Sequence, residues 1–283
     1  MSLFSRLFGR NTPAPSAVPS RDVEAVTQPL AISAVHAVHC RERTSSQLGG
    51  SPIAMPDLSW PSRDGRPLAF LATIDLTQLQ RAHPIEWLPS SGALLFFYDV
   101  AEQPWGFDPK DRDGWRVVYV EALEGLAEIP FPSTLDAANQ LPRQFLSFQS
   151  IRSYPSFGRE AISALRFNDA ESGQYEELTL RVFGDRPRHQ IAGYPTPIQG
   201  DDMEMESQLA SNGLYLGDTD GWKHPRAQEL KSGASEWRLL FQIDSDEAAD
   251  VMWGDVGTIY FWVREPDARA GRFDNAWLIL QCH

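Results

Sequence analysis

Between Leu239 and Val263 the chain reads LLFQIDSDEAADVMWGDVGTIYFWV, two apolar runs around Asp244, Asp246, Glu247, Asp250 and Asp255, with Trp253 among them. Three chemistries fit such a stretch. A calcium loop needs oxygen ligands at short regular intervals, a Gly at position six and a closing Glu at position twelve. Counted from Asp244, those positions hold Ala249 and Asp255, so the EF-hand pattern fails, although Asp244, Asp246 and Asp255 remain a candidate divalent-metal set for metal-assisted hydrolysis. Asp244 and Asp255 could instead converge as an acid/base pair, with Asp274 of the FDNAW turn a third carboxylate. In the third reading, Asp244 and Asp246 cap the residues that follow, and flanking strands hold the carboxylates apart in water, where they contribute field and not chemistry.

The other chemistry-bearing residues are sparse. HAVHC contributes His36, His39 and Cys40; in a helix all three share a face, whereas on a strand His36 and Cys40 share one while His39 points the other way, and a transition metal would need a further ligand from elsewhere. His189 follows the charged turn DRPR and enters a Gly/Pro-rich loop carrying Gln199, Asp201 and Asp202, where it lines a pocket or holds the loop by hydrogen bonds. Neither a G-x-S-x-G elbow nor a phosphate-cradling glycine loop is present, and Gly49-Gly50 lacks the following Lys-Ser/Thr. No cofactor is implied.

The elements that must position these groups are short strands separated by turns. Leu68–Ile74, the run after Gly92 (ALLFFYDV), the run after Gly114 (WRVVYVE) and residues 239–243, 258–263 and 276–282 have strand length and composition. Asp75 offers an N-cap to LTQLQ, while Arg159–Phe167 and MEMESQLAS after Asp202 have helical spacing. Many short strands with a few helices between them predict an α+β, β-dominated fold, a single domain of mostly antiparallel strands with flanking helices.

That domain spans 28–283. Residues 1–27 are expected to form a tail and a Pro/Ala/Ser linker, whose opening MSLFSRLFGR has the short amphipathic pattern of a membrane-surface or docking peptide, or of a tail too short to fold alone. Thirty-eight acidic against 25 basic residues give a net charge of -13, which repels nucleic-acid phosphates and suits a basic protein partner. No apolar run is long enough to span a membrane. With Cys40 and Cys282 far apart and no secretory signal, the chain is expected in the cytoplasm with free thiols.

Gly49-Gly50 with Pro52, Pro56 and Trp60-Pro61, then PLAFLATIDL, the Gly92-ALLFFYD strand, HQIAGYPTPIQGD, LLFQIDSD, MWGDVGTIYFWV and FDNAWLILQC follow in an order that resembles the YwqG-like bacterial domain of unknown function from about residue 30 onward. The resemblance implies a largely β domain without an established activity, cofactor or catalytic residue. Members found beside bacterial toxin systems suggest an immunity or protein-binding role. The residues expected to carry binding are Asp246, Asp250, Trp253, Asp255, His189 and Gln199, an acidic, Trp-containing face for a basic toxin or effector.

Overall fold

Asp75 shows how sequence becomes structure here. It closes the strand Ala69–Asp75, whose seven residues are all buried, in an extended conformation (φ -72°, ψ 112°), and its Oδ1 accepts the N–H groups of Thr77 and Gln78 at 2.7 and 3.1 Å. The helix Leu76–Ala82 follows at once, because two of its first N–H groups already have an acceptor. The computed structural model describes residues 21–121 and 125–283.

Fourteen strands occur among the described residues. In chain order they are β1 (Ile32–Cys40), β2 (Gln47–Leu48), β3 (Ile53–Ala54), β4 (Ser62–Arg63), β5 (Arg66–Pro67), β6 (Ala69–Asp75), β7 (Ala93–Tyr98) and β8 (Trp115–Val120), then β9 (Ala127–Glu128), β10 (Gln144–Ser153), β11 (Gln190–Ile191), β12 (Trp237–Asp244), β13 (Thr258–Arg264) and β14 (Trp277–Gln281). Ten of them form one sheet in the order β14-β13-β12-β11-β1-β10-β2-β6-β7-β8, with every pairing antiparallel; β3 pairs β9 and β4 pairs β5 apart from it. The expectation of a β-dominated α+β fold is met.

The sheet curls until its two end strands approach each other. Trp115 of β8 meets Trp277 of β14 edge to face at 4.9 Å and donates from Nε1 to the Ala276 carbonyl at 3.0 Å. Inside the curl, Phe96 of β7 lies 5.3 Å from Phe241 of β12 and 5.1 Å from Phe261 of β13, contacts worth about 0.5–1.5 kcal/mol each beyond the area they bury. The remaining gap along β14 is covered by chain: Leu280 N donates to the Trp105 carbonyl and Trp277 Nε1 to that of Gly106. Gly106, at φ +82°, stands where any Cβ would come within 1.8 Å of the Leu278 carbonyl oxygen, so only glycine lets the two backbones come this close.

Among the described residues the helices are α1 (Val23–Thr27), α2 (Leu76–Ala82), α3 (Glu160–Ser163), α4 (Asp169–Arg181), α5 (Met203–Ser211) and three further short ones. The helix expected over Arg159–Phe167 is the single turn α3, and α4 begins after it behind a capping box in which Asn168 and Glu171 exchange hydrogen bonds. Arg166 takes a positive φ of 51° between the two, which breaks the helical run. Of the segment 1–27, residues 1–20, with the amphipathic MSLFSRLFGR, lie outside the described residues. Residues 23–27 form α1, which buries Val23 with Tyr175 and Leu178 of α4, while Arg21 bonds Glu171 at 2.7 and 2.9 Å. Among the described residues no helix is long and apolar enough to cross a membrane.

Candidate functional site

Asp244 ends β12 with both carboxylate oxygens engaged. Oδ1 accepts from the Thr258 hydroxyl at 2.8 Å, and Oδ2 accepts from the Arg188 backbone N at 2.9 Å and from its Nε at 3.3 Å. Two residues on, Asp246 caps a short 3-10 turn by accepting Ala248 N on Oδ1 at 3.0 Å, the capping role expected of it. Its Oδ2 faces two imidazoles, His189 Nε2 at 3.0 Å and His39 Nε2 at 2.9 Å. Asp244 and Asp246 are both buried, which corrects the picture of carboxylates standing in water. Burial raises the Asp246 pKa, but the hydrogen bond with His189 and the closeness of both imidazoles outweigh it, and the group is held well below the usual carboxylate range.

His39, His189 and Asp246 bring three ligand atoms within 4.8 Å of one another. The donor pattern decides what they are. His189 Nδ1 accepts the backbone N–H of Asp244 at 3.1 Å, so its lone pair is committed and the ring proton sits on Nε2, directed at Asp246. A metal-bound imidazole needs the opposite arrangement, a free lone pair toward the ion and an N–H at the far nitrogen. The cluster is therefore a carboxylate held by a neutral histidine, with His39 close beside it but not aligned for a hydrogen bond. His36 donates from Nε2 to the Pro187 carbonyl at 2.9 Å, and its Nδ1 is buried without a partner. Burial, only partly offset by that bond, lowers its pKa. His36, His39 and His189 line one 170 Å³ hollow with Asp185, Arg186 and Pro187. Among the described residues no hydroxyl or thiol bonds His39 or His189, so the nucleophile–base contact of covalent catalysis is not formed.

The loop beyond Asp246 separates the remaining candidates. Asp250, left-handed at φ 53°, and Asp255 are exposed, and Asp255 does not reach Asp244 or Asp246 as a third ligand would. Trp253, expected on a binding face, is 1 % exposed: its ring stands edge to face with Tyr98 at 5.7 Å and its backbone N–H donates to the Ser245 hydroxyl at 3.0 Å. It anchors the loop from below. Gln103 pins the same loop from the side, donating from Nε2 to the Met252 carbonyl and accepting Gly254 N on Oε1. The exposed apolar side chains are instead Met252 and Val256, each 53 % exposed.

Sequence reasoning missed three buried glutamines. Gln242 accepts Thr196 N and donates to the Thr196 hydroxyl; Gln281 accepts Ile198 N and Gln199 N on Oε1 and donates to the Gly200 carbonyl; Gln190 donates to the carbonyls of Ala192 and Tyr194. Tyr260 adds its hydroxyl to the Thr196 carbonyl at 2.7 Å. The segment 192–200 is thereby held in one conformation against the sheet, with its amides satisfied by side chains where no strand partner exists. Gln199 contributes backbone to this clamp while its residue is exposed, and His189 stands one residue before Gln190. The signal was present as a lone Gln inside each of the apolar runs LLFQID and WLILQC.

A family model described as a domain of unknown function (DUF1963) matches residues 46–282. The chain belongs to this family. The DUF1963 match contains His189, Asp244, Asp246, Trp253 and the three clamping glutamines, whereas β1, with His36 and His39, precedes its first residue. No curated protein matches the chain.

Proposed function

We propose that this DUF1963 domain is a non-catalytic binding protein whose loop 247–256 meets a basic protein partner, such as a toxin or effector domain, in keeping with the finer resemblance to YwqG-like proteins. One observation carries the reading: Met252 and Val256 stand half exposed among exposed Glu247, Asp250 and Asp255, on a loop fixed by Trp253 and Gln103. Apolar contacts ringed by charge, on backbone that is already ordered, lose little conformational entropy on association. The acidic rim adds steering toward a basic surface, weakened by salt. A metal-assisted hydrolase built on Asp244, Asp246 and Asp255 is less well supported, since the first two carboxylates are occupied by Arg188, Thr258, Ala248 and His189. The free thiols of Cys40 and Cys282 suit a reducing cytoplasm.

The test is a photo-crosslinking amino acid at position 252 in the producing cell, with position 215, where Tyr215 is also exposed, as the control. A discrete adduct from position 252 alone, lost in an E247Q/D250N/D255N variant, is expected. An adduct indifferent to those charges removes the electrostatic argument, and none at all overturns the reading.

A further inference from the structure

Another hollow on the described surface lies away from that loop. It has a volume of about 470 Å³ and is walled by Arg159, Tyr194, Asp202, Glu204, Trp237 and Trp262 among others. Arg159 is spent within the wall: it bonds Asp201 at 2.6 and 2.8 Å and Glu204 at 2.8 Å, and its guanidinium lies over the Tyr194 ring at 5.0 Å. Arg238, the other cation of the lining, pairs with Glu265 at 2.8 Å. Asp202 is exposed on the rim and has no cation of its own among the described residues.

The floor supplies a second and independent feature. Trp262 is 1 % exposed, and its indole Nε1–H has no hydrogen-bond partner, unlike Trp237 beside it, which donates to Gln208 at 2.8 Å. A buried donor left unmade costs free energy that a ligand acceptor recovers. The wall is also built to keep its shape, because Tyr194, Asp201 and Asp202 sit on and just after the segment clamped by Gln190, Gln242 and Gln281. We propose that this cavity receives a basic residue of a peptide, its ammonium or guanidinium group against Asp202 and Glu204 and its main-chain carbonyl on Trp262 Nε1–H.

One further group responds to such a ligand. Glu206, one turn along α5 from Asp202, is pushed up to about 7 by burial and then by Asp202, Glu204 and Asp201, and its Oε2 has no partner. A cation brought to Asp202 offsets that repulsion, so binding near neutral pH expels a proton. The site goes beyond the loop reading. It flanks the Leu239↔Trp262 end of the β12–β13 pair, whereas the acidic loop leaves the Asp244↔Thr258 end, roughly 16 Å away at the usual strand rise. Either can fail without the other.

The experiment titrates the full chain calorimetrically with N-acetyl-arginine methylamide, N-acetyl-lysine methylamide, spermidine and N-acetyl-norleucine methylamide. Saturable binding of the two basic amides is expected, at least tenfold tighter than the uncharged norleucine probe and tighter than spermidine, which has charge but no carbonyl. Proton release, read from buffers of different ionisation enthalpy at pH 7, is expected to vanish in E206Q. D202N, on the exposed rim, is expected to weaken both amides at least fivefold with an unchanged melting temperature. W262F is expected to abolish the advantage over spermidine. No saturable binding of either basic amide overturns the proposal, as does binding that D202N and W262F leave unchanged; binding by spermidine alone overturns the peptide assignment.

Discussion

His189 Nε2 lies 3.0 Å from Asp246 Oδ2, 57 residues apart in sequence, and the ring is oriented by the Asp244 N–H at its other nitrogen. An Asn there offers one acceptor oxygen to two donors, the Ala248 N–H and the His189 Nε2–H, and turns an amide N–H toward the other in a buried site. D246N is expected to lose about 2–4 kcal/mol of unfolding free energy, measured by urea denaturation; a loss below 1 kcal/mol would show the contact to be incidental.

The same orientation makes a prediction about protons and metals. Nitrogen NMR of the histidine side chains is expected to find His189 as the Nε2–H form at pH 7. Added Zn²⁺ at a few equivalents is expected to leave those resonances in place and the melting temperature unchanged. Loss of the Nε2–H signal with zinc, accompanied by stabilisation, would reassign the cluster as a metal centre.

Two carboxylates give the stability profile opposite slopes. Asp246 titrates below its unfolded value, so its contribution is complete above about pH 4 and disappears as pH falls toward the folded value. Glu206, raised to about 7, contributes fully below about pH 4.5 and loses that contribution as pH climbs through 7. E206Q is therefore expected to match the parent near pH 4.5 and to exceed it by about 1–2 kcal/mol at pH 8. D246N is expected to flatten the acid limb. Denaturation across pH reads both, and an E206Q advantage at low pH would reverse the assignment.

The clamp on residues 192–200 is open to hydrogen exchange. Q281L removes the acceptor of Ile198 N and Gln199 N and is expected to cost about 1–3 kcal/mol. Exchange at those two amides is expected to quicken far more than at Tyr260 and Phe261 of β13.

Gly106 tests the seam between the sheet's ends. With its Cβ position 1.8 Å from the Leu278 oxygen and φ +82°, G106A is expected to cost about 3 kcal/mol or more or to prevent soluble expression. A mild effect would mean that the loop rides free of β14.

Sheet content was legible because its residues are locally consistent: β7 (ALLFFY), β12 and β14 are apolar runs of strand length between turn residues, and Asp75 announced α2. Helix α4 was not, since DAESGQYEELTLR carries polar residues around most of its circumference and buries only Glu171, Tyr175 and Leu178. At the site, local pattern identified the cap at Asp246 but not its burial, to which His39 of β1 and His189, just before β11, contribute from far along the chain. A Trp between acids in a turn reads as wet, yet Trp253 reaches back to Tyr98, a contact that no local window contains.

Strand β1 has its neighbours far along the chain: Ile32 faces Ser153 and Val35 faces Ile191. During synthesis the first long strand must wait, both edges bare, until more than half the polypeptide has emerged, while β6, β7 and β8 can zip locally as they appear. Nascent chains stalled before residue 153 are thus the ones a holding chaperone would be expected to capture, through the apolar stretch around Val35 and Val38.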